Sequence, residues 1–166
     1  LFWMGRYIER SEHIARYLNV NYFSSLDAPN IKSQDRQFVL RSMLFMIGDP
    51  EEDQSKILIE EDILYSIGLD PTNPFSIKST VKLARENANS ARDLISTELY
   101  EAINKFYHFV LSYPKEVFVK NGLHDFTSNI AEMTAILRGK IRGTLLHDSV
   151  YAIIMMGINI ERAIQN

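Results

Sequence analysis

The sequence predicts an all-α fold, an antiparallel helical bundle with an internal pseudo-repeat. Three observations carry that expectation. Apolar residues recur at three- and four-residue steps along most of the chain, the period of a helix with one buried face. No run alternates apolar and polar residues between turn clusters, so no strand is indicated. A heptapeptide near the start, Met4-Gly5-Arg6-Tyr7-Ile8-Glu9-Arg10, returns near the end as Met156-Gly157-Ile158-Asn159-Ile160-Glu161-Arg162.

The first predicted helix runs from Leu1 to about Phe23, with Leu1, Met4, Ile8, Ala15 and Leu18 recurring along it. Asp27-Ala28-Pro29-Asn30 makes a turn. Ser33 is placed to cap a second helix over about 34–47. Phe38, Arg41, Leu44, Phe45 and Ile47 give that helix a broad apolar side, and Gly48-Asp49-Pro50 stops it. After a polar loop at 51–56, a short helix covers about 57–67 and ends at Gly68. Asp70-Pro71-Thr72-Asn73-Pro74 is a second turn cluster. Ser76 then caps a long periodic stretch, about 77–111, either one helix of about nine turns or two joined by a kink. Pro114 lies beyond its end. Lys115 to Lys120 forms a short helical turn that Asn121-Gly122 breaks. From about Asp125 the pattern is helical to the end, with a bend near Gly139 and Gly143.

The 166 residues suit a single domain, 1–166, large enough to bury a core without staples. Cysteine is absent, which removes a disulfide framework and a thiolate metal site and agrees with a reducing compartment; the expected location is cytoplasmic. A net charge of −3 argues against a broad nucleic-acid footprint and gives no attraction to anionic membranes. The longest apolar run, Val150 to Ile158, falls far short of the ~20 residues that span a bilayer. Because Leu1 opens inside a helical pattern and Asn166 follows a motif directly, the chain is expected to be a fragment of a longer protein.

The repeat has specific physics. Gly5 and Glu9 lie four residues apart on one helix face, as do Gly157 and Glu161. Glycine inside a helix costs ~1 kcal/mol relative to alanine, so its use there points to close packing. A glycine one turn before a glutamate lets a second backbone approach beside a carboxylate. The flanking residues are apolar, so the carboxylate is expected to be partly buried, which requires a paired, hydrogen-bonded partner. Arg10 and Arg162 are the natural donors, each to the other copy. Two roles fit: a clamp that fixes the register of the bundle, or the lining of a ligand or catalytic pocket with Glu9 or Glu161 as general base.

Further constellations stand elsewhere. Arg85, Asn89 and Arg92 form a polar stripe, with Ala84, Ala88 and Ala91 beside it for close helix approach. The stripe is either a solvated face with ion pairs to Glu86 or Asp93, or a guanidinium pair that grips a phosphate or carboxylate. Arg138 and Arg142 repeat the spacing, with Gly139 and Gly143 marking close helix approach at most. Arg6 stands inside the first motif. All of these are expected near Glu9 and Glu161, above all Arg85 or Arg92. No acidic residue stands three before any histidine, so the di-metal bundle spacing is missing and no metal or other cofactor is indicated. His124-Asp125 and His147-Asp148 are dipeptides without further ligands. Phe2, Trp3, Tyr7 and Tyr17 read as core aromatics, as does the cluster from Phe106 to Phe109.

These residues resemble the alpha-E family of helical domains, named for a Glu-Arg motif. LFWMGRYIERSEHIARYLN at 1–19 is similar to its opening helix, ARENANSARDLISTELYEAIN at 84–104 to its middle signature, and RGKIRGTLLHDSVYAIIMMGINIERA at 138–163 to its second Glu-Arg segment. Many members carry an aromatic residue and an Arg-Asp or Arg-Glu pair before the second motif; here His147-Asp148-Ser149-Val150-Tyr151 stands instead. The resemblance implies a longer complete domain, and a context rather than a reaction. Such domains are encoded beside, or fused to, ATP-grasp-type ligases and transglutaminase-like proteins. The expectation is therefore an accessory module that binds such an enzyme or its peptide substrate. The alternative is an enzyme acting on peptide or amino-acid amide groups, with the arginines holding a carboxylate or phosphate.

Overall fold

The computed structural model describes residues 1–25 and 34–165, and the predicted turn at 27–30 and cap at Ser33 lie outside the described residues. Within them all the regular secondary structure is helical, with no strand. Helix α1 covers Phe2–Ser25, α2 Gln34–Met46, α3 Glu60–Gly68, α4 Ile77–Ser90, α5 Thr97–Ser112, α6 Lys115–Val117, α7 Leu123–Thr144 and α8 Ser149–Gln165. None is long and apolar enough to cross a membrane.

Local chemistry sets the boundaries. Gly48 stops α2 with φ +86°, a conformation that an L side chain resists. The third helix starts at Glu60 rather than Ile57, because the Gln37 amide brackets Leu58: its nitrogen donates to the Leu58 carbonyl (2.9 Å) and its oxygen accepts the Leu58 N–H (2.7 Å). Ser76 caps α4 by accepting the Ser79 N–H. The long periodic stretch resolves into two helices, because Ser96 accepts the Leu99 N–H at 3.1 Å and starts α5 anew. Asn121-Gly122 does not break the chain; Phe118–Gly122 forms a π-helical turn that runs directly into α7. The final stretch is not interrupted at Gly139 or Gly143, which lie inside α7. It breaks at 145–148, where the Asp148 carboxylate accepts the Val150 N–H (3.0 Å) and starts α8.

Helix α1 is the axis of the bundle, packed by α4, α7 and α8. Met4, Ile8 and Leu18 on α1, Ala84 and Ala88 on α4, and Leu137 and Ile141 on α7 are fully buried. Neighbours α1 and α7 run antiparallel: Asn19 meets Thr127 and Glu12 meets Arg138. So do α4 and α5, and α5 and α7. The exception is α8. It reverses again after α7 and therefore lies parallel to α1, Gly5 meeting Ile154 and Arg10 meeting Glu161. Trp3 is no core aromatic; it is 46% exposed at one end of α1.

Candidate functional site

The two glycines create the junction from which the site is built. A Cβ placed on Gly5 would collide with the backbone carbonyl of Ile154, and one on Gly157 with that of Phe2. Each obstacle lies three residues before the partner's glycine, so the contact is reciprocal about an approximate two-fold axis running along the helices. One turn further on, this close approach places Glu9 and Glu161 between the helices, 8% and 1% exposed.

Carboxylates so placed need donors, and each motif supplies them to the other. Arg162 Nε donates to Glu9 Oε1 at 2.7 Å, and Arg10 Nε to Glu161 Oε1 at 2.7 Å. Arg10 Nη2 adds a second bond to Glu161 Oε2 at 3.2 Å, the bidentate fork that suits guanidinium to carboxylate. The symmetry then breaks. Arg6 Nε reaches Glu161 Oε2 at 2.8 Å, but Ile158 occupies the matching position in the second copy. For Glu9 the additional guanidinium comes from Arg138 of α7, at 3.7 Å. Gln165 Nε2 completes Glu161 at 2.9 Å, so that carboxylate accepts four hydrogen bonds, about its full capacity.

A third carboxylate belongs to the cluster. Glu12 is 5% exposed and accepts from Arg16 at 2.7 Å and from Arg138. The repeat gave no signal for it. The signal available was its spacing, three after Glu9 and four before Arg16, which places all three along one face.

Among the described residues, five guanidinium groups, from Arg6, Arg10, Arg16, Arg138 and Arg162, thus meet three carboxylates, a surplus of two positive charges in a chain of net −3. Burial pushes the Glu161 carboxyl up, but the hydrogen bonds from Arg10, Arg6 and Gln165 and the charge of Arg10 outweigh it and hold Glu161 below the ordinary glutamate value. Burial and the nearby Arg16 lower His13, against the opposing pull of Glu161, Glu9 and Glu12.

Two cavities meet the crossed Glu-Arg pairs, and a smaller one, of about 140 Å³, lies beside Glu12 and Arg16. One, of about 420 Å³, is lined by Arg6, Arg10, Tyr17, Phe45, Phe75 and Glu161 among others. The other, of about 260 Å³, is lined by Glu9, Glu12, Arg16, Arg138 and Arg162. His13 and Gln165, which occupy matching positions in the two copies, line both. Each crossed ion pair therefore faces its own cavity.

Not all the expected residues converge. Arg85 Nε donates to Asn104 at 3.0 Å and its guanidinium lies over Tyr107. Asn89 accepts from Tyr100, and Arg92 lies over the Tyr100 ring. The whole stripe faces α5, because the neighbouring alanines are what α4 buries. Arg142 is exposed and outside the cluster, and the spaces beside Gly139 and Gly143 are open, so that pair marks no helix contact.

A family model described as "a predicted alpha-helical domain with a conserved ER motif" matches residues 1–166. The Glu-Arg pairs at 9–10 and 161–162 fit that description. No curated protein and no solved structure matches the chain.

Proposed function

The chain belongs to the Alpha-E family, and from that premise we propose that it is an accessory binding module, whose crossed Glu-Arg pairs frame an anion-binding site for a peptide ligand. Its partner is an ATP-grasp-type ligase or a transglutaminase-like protein, in a system that forms or modifies peptide bonds. The observation that carries this reading is the state of the carboxylates. Glu9, Glu12 and Glu161 each accept from guanidinium groups, and Glu161 is held ionised. A general base needs a free lone pair and a proton affinity near the working pH. The arginines, by contrast, outnumber their partners beside open cavities, which suits them to hold an anionic group.

Reconstitution with an ATP-grasp-type ligase or a transglutaminase-like protein tests the reading. The module alone is expected to leave peptide amides unchanged, and to bind the partner or raise its rate on peptide substrates. Arg10→Gln, checked for retained fold, is expected to weaken that effect. Turnover of a peptide amide by the module alone, abolished in a folded Glu9→Gln variant, would favour the enzyme reading instead.

A further inference from the structure

The larger cavity lies between α1, α2, α8 and the segment leading into α4. Its charged lining consists of Arg6, Arg10 and Glu161, a net single positive charge. Glu161 takes Nε of both arginines and one Nη of Arg10. Arg6 keeps both terminal nitrogens, and Arg10 keeps Nη1, free of hydrogen bonds among the described residues. One positive charge with spare, forked donors matches a monoanionic carboxylate better than a dianionic phosphate.

The rest of the wall is of a different kind. Phe45 and Ile164 are 70% and 61% exposed, and Met46 and Phe75 are exposed beside them. Large, exposed apolar side chains that line one cavity are suited to cover an apolar ligand group. His13 and Gln165 also line the cavity. Gln165 uses its nitrogen on Glu161, which leaves its carbonyl oxygen to accept an N–H.

We propose that this cavity binds the C-terminal carboxylate of a peptide whose last residue is apolar. The carboxylate sits on the free nitrogens of Arg6 and Arg10, the last amide N–H donates to Gln165, and the side chain lies against Phe45, Phe75 and Ile164. The proposal rests on the anion-binding reading of the cluster and adds the ligand class. The volume, about 420 Å³, accommodates a residue or two, with the remaining peptide leaving through the open side.

Trp3, the only tryptophan, reports on the site, since the Arg6 guanidinium lies 4.7 Å from its ring. Trp3 fluorescence and calorimetry would follow titration with acetyl-Ala-Phe acid, its C-terminal amide and inorganic phosphate. The acid is expected to bind saturably, and the amide at least about tenfold more weakly, the worth of a charge-assisted hydrogen bond. Arg6→Gln should weaken the acid by a similar factor without changing the amide, and Phe75→Ala should weaken both. Equal binding of acid and amide, or no binding of either, would overturn the proposal; this comparison uses the unaltered protein and does not depend on any variant folding. Phosphate binding lost in Arg10→Gln, with no binding of the acid, would overturn the ligand class and leave the anion-binding module standing. No anion bound at all would remove both.

Discussion

Glu161 is the most committed residue of the cluster, nearly inaccessible and accepting four hydrogen bonds. Glu161→Leu strands two partly buried guanidinium groups and is expected to destabilise the fold by ~3–5 kcal/mol in denaturant melts. Glu161→Gln keeps some of the hydrogen bonding and should cost less. Glu9→Leu should also cost less, because its partner Arg162 is 41% exposed and can turn to water. Acid provides an independent check. Since the folded state holds the Glu161 pKa below its unfolded value, its contribution is full above about pH 4.3 and is lost as pH falls through the lowered value. The gap in stability between the unaltered chain and Glu161→Gln should therefore narrow between neutral pH and about pH 3. Glu9, Arg10, Glu161 and Arg162 could be picked out from sequence because the repeat marks them. Glu12, Arg16 and Gln165 could not be picked out that way, because they lie outside the repeated heptapeptide: Arg16 and Gln165 each donate to a glutamate four residues earlier on their own helix, and Glu12 also takes Arg138 from α7. Arg85, Asn89 and Arg92 show the converse: helical spacing identified the stripe but held no information on which neighbour it meets.

At the scale of elements, the glycines divide by what surrounds them. Gly5→Ala and Gly157→Ala push a methyl group into a backbone carbonyl that has no rotamer to escape by. Each is expected to lower stability by at least ~1–3 kcal/mol, the usual range for overpacking. Gly139→Ala, in open space within α7, should instead raise stability by up to ~1 kcal/mol through helix propensity. Thermal melts of the three variants check both signs. Sequence periodicity located the helices but not their interruptions. The breaks at 91–96 and 145–148 are made by single side chains, Ser96 and Asp148, that accept backbone N–H groups. Apolar periodicity runs through both breaks, so it hides them. Gly122 misled in the other direction, since a π turn absorbs it and the helical path continues.

For the whole molecule, the chain reversal after α7 lays α8 parallel to α1 and brings two copies of one motif face to face. The repeat predicted that the copies would meet; the relative direction of their helices depended on the number of reversals between them, which periodicity alone does not count. The outcome is a cluster in which each glutamate is served by the other copy's arginine and in which positive charge is left over beside two cavities. A double-mutant cycle on unfolding free energy tests this central claim most directly. One cycle pairs Glu9→Gln with Arg162→Gln across the motifs, and the other pairs Glu9→Gln with Arg10→Gln within one motif. The crossed arrangement predicts a coupling of ~1 kcal/mol or more for the first and clearly less for the second. Equal couplings, or a larger one within the motif, would contradict it.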